Sequence, residues 1–266
     1  QEYPLTLDEC FQSRGQSFFH RVPYVDIGTR WKTHSDSHYL SYDTEHPVHG
    51  HKYVLGADIS GGVGGDYSVV EVLCLETHQQ VAEYVDNFTS PDAFADIIIW
   101  IAKLFNNAHV NIETNNHGGV TATELINKYP RDLLFMKTGL TGNVYGVGTQ
   151  TTRTTKLMVM GNLRKSLAQG LSIVSTYLQG ELNSFIEKPV SDLSSRLEAT
   201  QGAHDDSVIA LGMANEALMA LEEFLAYQGK GIPKVINPEA EFTMKAILDK
   251  HRQAEYPCTS GLVGYA

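Results

Sequence analysis

Three places in the chain carry acids where regular structure is expected to end or begin. Asp58 closes the apolar run "YVLGAD", Glu113 closes "AHVNIE", and Asp205 with Asp206 opens the helical pattern "DDSVIALGMANEALMALEEFLA". A further aspartate, Asp66, follows the glycine-rich turn "SGGVGG". Carboxylates gathered without matching arginines repel one another and raise each other's pKa. A hard divalent cation such as Mg2+ or Mn2+ relieves that repulsion, because these ions prefer oxygen ligands. Two such ions about 3.5–4 Å apart activate a water and stabilise a leaving oxygen in phosphodiester hydrolysis. Each acid also has a plainer explanation. Asp58 and Asp66 suit turns, Glu113 suits a loop boundary, Asp205 suits an N-cap, and Asp206 suits a first helical turn. The chemical reading is favoured because the three main sites fall at the same edge of one plausible sheet.

That sheet is read from the apolar pattern. "YVLGADIS", "YSVVEVLCL" and "QQVAEYVDN" follow one another at hairpin spacing and predict three consecutive antiparallel strands. "SPDAFADIIIWIAKLF" predicts a helix, with Ser90 in the cap position and Pro91 at its first turn. A strand at "AHVNIE", a helix at "GGVTATELINKY", a strand at "DLLFM" and a helix at "TTKLMVMGNLRKSLAQG" follow. Next come an extended "LSIVS", a helix around "LQGELNSFI", a strand near "SRLEAT" and the long helix after "GAHDD". The order predicts an α/β fold: a mixed central sheet, its first three strands antiparallel, with helices on both faces. Chemistry in open sheets collects at strand ends. If the first and fourth strands are neighbours, Asp58 and Glu113 meet there. Residues 1–50 read as irregular apart from a short helix near "LTLDECFQS", and one amphipathic helix is expected around 238–252.

Composition narrows the functional classes. Cys10, Cys74 and Cys258 show no paired spacing, which points away from a disulfide framework and towards a reducing compartment. The apolar stretch "FADIIIWIAKLF" is interrupted by Asp96 and Lys103 and is too short to span a bilayer. A net charge of −11 argues against coating nucleic acid by bulk charge. Between Lys128 and Lys165, however, seven basic residues face one acid, Asp132, enough for a local basic face. No Walker-type ATP motif occurs, and an EF-hand is excluded because Val69 stands where its last glutamate belongs. No cysteine–histidine spacing matches a zinc site, and His117 and His204 read as polar loop residues. The main enzymatic rival for the glycine-rich stretch is the phosphate-holding turn of sugar kinases and actin-like ATPases.

"YPLTLDECFQSRGQSFF", "GADISGGVGGDYSVVEV", "NIETNNHG", "TTKLMVMGNLRKSL" and "GAHDDSVIAL" occur in the order seen in the large terminase subunits of tailed bacteriophages. The chain resembles that family over most of residues 5–226. Such proteins join a packaging ATPase to a C-terminal nuclease of RNase H-like fold. Without a Walker motif or an initiating methionine, the chain resembles the nuclease part. The resemblance implies a connecting segment over 1–50, an RNase H-like domain over 51–226, and a tail over 227–266. It implies that Asp58, Glu113 and Asp205 are catalytic metal ligands, with Asp206 a further ligand and Asp66 an accessory acid. Glu113 stands where many relatives carry aspartate. Lys156 and Arg153 resemble basic positions facing the DNA backbone. The implied activity is endonucleolytic cutting of concatemeric DNA with two Mg2+ or Mn2+ ions, with little base specificity and without ATP hydrolysis. Implied partners are double-stranded DNA, the ATPase domain, the small terminase subunit and the portal protein, with no membrane. The implied location is the infected host's cytoplasm, at the procapsid portal. Alternatives are a junction resolvase or integrase on the same fold, or a non-catalytic module that binds DNA or the portal.

Overall fold

The structure is a computed structural model that describes residues 16–20, 22–34, 37–138, 144–191 and 194–230. The helices expected near 5–13 and 238–252 lie outside those residues, as do Cys10 and Cys258. The described strands are β1 (Gln16–Ser17), β2 (Trp31–His34), β3 (Ser37–Asp43), β4 (Tyr53–Asp58), β5 (Ser68–Cys74), β6 (Gln79–Asp86), β7 (His109–Ile112), β8 (Met136–Thr138), β9 (Val144–Val147), β10 (Phe185–Ser191) and β11 (Ser194–Ala199). The helices are α1 (Pro91–Leu104), α2 (Gly118–Lys128), α3 (Arg153–Ala168), α4 (Thr176–Ser184) and α5 (Asp206–Lys230).

The expected antiparallel meander is β4, β5 and β6, and the order across the main sheet is β2-β3-β6-β5-β4-β7. β7 runs parallel to β4, with Ala57 opposite Ile112, so the first and fourth expected strands are neighbours. Side chains alternate between the two faces. Tyr53, Leu55 and Ala57 of β4 enter a core with residues of α1 and α2. Val54 and Leu73 enter a second core with residues of α3, α4 and α5. Helices therefore cover both faces, as expected for the RNase H-like class. None of the helices among the described residues is long and apolar enough to cross a membrane.

Three local expectations differ from the structure. Residues 31–34 and 37–43, read as irregular, form β2 and β3 and extend the main sheet through β3–β6 pairing. "DLLFM" is not one strand: Arg131–Leu133 form a 3-10 turn, and Met136 starts a separate two-stranded sheet of β8 and β9. "LSIVS" is extended as expected, through isolated bridges of Ser172 to Gln79 and Ile173 to Tyr24. The helix expected to run into "SFI" ends at Ser184, and Phe185 begins β10, which pairs with both β1 and β11.

Candidate active site

Alternation along β4 puts Asp58 on the same face as Val54 and Gly56, the face covered by α5. A Cβ on Gly56 would collide with the Ala210 carbonyl oxygen and the Ala214 amide nitrogen, so only glycine lets the helix backbone lie against this strand. Asp206, Ala210 and Ala214 are spaced by four and share one stripe of the helix. Contact at Ala210 therefore brings Asp206, one turn earlier, to the strand end that carries Asp58. Asp205 stands at the cap, its carbonyl accepting the Ile209 N–H at 2.9 Å. On the neighbouring strand, Asn111 Nδ2 donates to the Met213 carbonyl of α5 at 3.0 Å. Glu113, two residues further, keeps that face, and its N–H donates to the Ala57 carbonyl at 2.8 Å. The structure thus gathers Asp58, Glu113, Asp205 and Asp206 at one edge.

The four acids differ in surroundings. Asp58 retains some accessible surface but lies deep among protein atoms. That burial, followed by the neighbouring Glu113 charge and hydrogen bond and then by Asp206 and Asp205, pushes its carboxyl well above the usual range. Burial also raises Glu113, against the opposing effects of its hydrogen bond with Asp58 and the Lys156 charge. Burial pushes Asp206 up to about 6, opposed by the Tyr67 N–H that donates to its Oδ2 at 3.4 Å. Asp205 has a cation beside it: Lys156 Nζ donates to its Oδ2 at 2.9 Å. Among the described residues, no three of these acids bring ligand oxygens within 4.8 Å of one another. Asp58 and Glu113 share a hydrogen bond, while Asp205 is drawn to Lys156 and Asp206 to the Tyr67 N–H, so the four do not close around one point.

Asp66 is exposed at the rim, and its charge helps to raise Asp206. The two expected DNA contacts have partners within the protein. Lys156 pairs with Asp205 and sits 5.6 Å over the Phe185 ring, while Arg153 donates twice to the Ser195 carbonyl, at 3.0 and 2.7 Å. Together with Arg196 they line a groove of about 710 Å³ that runs past Asp205. The basic excess between 128 and 165 does not form one face. Lys128 pairs with Asp96 and Glu124 on the α1–α2 side of the sheet, and Arg164 lies 4.4 Å over the Phe18 ring on the other.

At the level of sequence, no protein-family model and no curated protein matches the chain. Solved structures do match. The large terminase nuclease of thermophilic phage G20c with bound magnesium is 21% identical, with a TM-score of 0.56 over 75% of this chain and 96% of that one. The cobalt-bound form of the same nuclease gives the same identity and TM-score. The large terminase nuclease domain of Thermus phage P74-26 is 21% identical, with a TM-score of 0.54 over 81% of this chain and 97% of that one. The chain has the fold of the phage large-terminase nucleases.

Within this terminase-nuclease fold, several supporting groups were not legible in the sequence. Thr151 Oγ1 donates to Glu113 Oε1, and Asn115 Nδ2 reaches the same oxygen at 3.4 Å while also bonding Thr151. Glu181 on α4 accepts the Ser207 and Val208 N–H groups at 2.9 and 3.3 Å, fixing the start of α5 from outside the helix. Burial pushes Glu181 up to about 7. The one available signal was "NIETNN", whose polar residues directly follow Glu113. Nothing local marks Glu181, because its partners lie 26 and 27 residues away.

Proposed function

We propose that the chain is a metal-dependent endonuclease that hydrolyses phosphodiester bonds of double-stranded DNA during viral genome packaging. The observation that carries this reading is the convergence of Asp58, Glu113, Asp205 and Asp206, three of them with raised carboxyl pKa values, at one sheet edge of this fold. An all-oxygen, acid-rich donor set suits hard divalent cations. Asp58, Glu113 and Asp205 would hold Mg2+ or Mn2+, with Asp206 serving a second ion. Bound there, two ions would supply an activated water and stabilise the leaving oxygen.

The surrounding residues have separate tasks in this reading. Thr151 and Asn115 orient the Glu113 carboxylate. Glu181 and the Gly56 contact fix the helix that delivers Asp205 and Asp206. Lys156 balances the charge of Asp205 and offers a cation beside the groove where a phosphate backbone would lie. Arg153 tethers the β10–β11 hairpin along that groove and can contribute charge there. Asp66 acts at the rim. Backbone contacts of this kind carry no base information, so cutting has little sequence preference.

The similarity in fold to terminase nucleases supports a wider role. The chain would act on concatemeric DNA in the host cytoplasm at the procapsid portal, beside an ATPase domain, the small terminase subunit and the portal protein. The test is plasmid cleavage with Mg2+, with Mn2+ and with EDTA, alongside an ATPase assay. Metal-dependent nicking without ATP turnover supports the reading. Cleavage unaffected by EDTA, or a clean protein that neither cuts nor needs metal, overturns it.

A further inference from the structure

At the end of β4 and β5 remote from Asp58, a second group of potential ligands is gathered. Tyr53 pairs with Cys74 there, whereas Asp58 pairs with Val69. Five residues of strand, about 17 Å, separate the two ends. Each of His46, His51 and Cys74 offers a ligand atom within 4.8 Å of the other two. Cys74 is a free, buried thiol. Its Sγ lies 3.5 Å from His51 Nδ1 and 3.6 Å from Glu76 Oε2, and that carboxylate oxygen is 3.9 Å from His51 Nδ1. Donors about 2.0–2.3 Å from a tetrahedral zinc stand roughly 3.3–3.7 Å apart. These separations are close to the edges of such a tetrahedron.

We propose that His46, His51 and Cys74, with Glu76 completing the tetrahedron after a side-chain rotation, form a structural Zn2+ site. Two imidazoles, a thiolate and one carboxylate suit a borderline-soft cation and not Mg2+. Both ring nitrogens of His46 are provided for. Nδ1 lies 2.9 Å from the Tyr53 hydroxyl and Nε2 lies 4.0 Å from Asp43 Oδ2. Whichever nitrogen takes the metal, the other faces a polar group that can orient the ring. The Tyr53 oxygen is itself held by the Val48 N–H at 2.8 Å, and the Lys52 N–H, at 3.2 and 3.0 Å from the two Glu76 oxygens, is the contact that Glu76 would loosen on turning to the ion. His51 and Glu76 are partly exposed, which gives the ion an entry path. Binding converts the Cys74 thiol to thiolate and releases its proton to solvent. The ion would staple residues 46–51, which lead into β4, to the far end of β5.

The test uses the full 266-residue chain, stripped of metal and held in excess Mg2+ so that the acidic edge is saturated. Added Co2+ should give a thiolate-to-cobalt absorption band that saturates at one equivalent and is displaced by Zn2+. Zn2+ should also raise the melting temperature. His51→Gln, a partly exposed position, and Cys74→Ser should each remove the band. Their loss of Zn2+ affinity should exceed the roughly 10–100-fold typical of losing an outer-shell partner. Asp58→Asn should keep both the band and the zinc-induced stabilisation. Absence of a thiolate band in the unmodified chain overturns the proposal, as does zinc stabilisation that survives in His51→Gln. If Cys74→Ser fails to fold, His51→Gln decides.

Discussion

Replacing Asp206 by asparagine should stabilise the metal-free protein, and by an amount that depends on pH. Burial pushes the Asp206 carboxyl from its ordinary 3.8 to about 6. At about 1.4 kcal/mol per pH unit, that is at most about 3 kcal/mol of cost for keeping the charge in the fold above that pH. The side chain retains 16% exposure, and the lost first-turn carboxylate gives back about 0.3–1 kcal/mol of helix-dipole stabilisation. The asparagine oxygen can still accept the Tyr67 N–H. A net gain of about 1–2 kcal/mol at pH about 8 is therefore expected. The sign follows from proton binding: a carboxyl raised in the fold binds its proton more tightly there, so its penalty is absent below 3.8 and complete above about 6. At pH about 5 the gain should fall to roughly half. Urea denaturation with EDTA at both pH values measures it. An asparagine variant that is no more stable at the higher pH, or whose advantage does not shrink at the lower, would refute the electrostatic account of this edge.

Asp58→Asn should lower cleavage by orders of magnitude while the metal-free protein melts no lower than the parent, checked by nicking assay and calorimetry; near-normal nicking would make Asp58 a turn residue only. Lys156→Ala should weaken DNA binding about equally for unrelated sequences and reduce the slope of log affinity against log salt by about 0.9, as read from binding titrations. An unchanged slope would leave Lys156 as a partner of Asp205 alone. Gly56→Ala drives a methyl into the backbone of α5, so a destabilisation of about 3 kcal/mol or more is expected, at the upper end for overpacking; a urea midpoint matching the parent would contradict the packing described.

The central meander was legible because apolar runs of strand length recur at hairpin spacing, and α5 because one apolar pattern runs unbroken after Asp206. The convergence of Asp58 and Glu113 needed one further condition, that β4 and β7 be neighbours, and the parallel pairing at Ala57 and Ile112 meets it. Edge elements hid from the pattern. β2 and β3 mix polar and aromatic residues, and β10 carries Pro189, which interrupts a strand signal. Pairings over long separations were also invisible. Glu181 reaches α5 across 26 residues, and Lys156 meets Asp205 across 49. Cys74 meets His51 across 23, so the absence of a linear zinc motif did not exclude a Cys–His cluster. The basic run suggested one face because sequence proximity was taken for spatial proximity, and α2 and α3 lie on opposite sides of the sheet.

The close approach at Gly56 also orders events in time. β4 ends at Asp58, whereas the helix that packs on it begins at Asp206. During synthesis, a chain that has emerged only as far as β11 can already pair β4 with β5 and β7, since those contacts are shorter in range. It cannot assemble the acidic edge, because Asp205 and Asp206 have not yet emerged. Contacts so distant in sequence form late, after the loop-closure cost of bringing their ends together. Cleavage competence would therefore arrive with the docking of α5, so that a half-made chain carries the sheet but no blade.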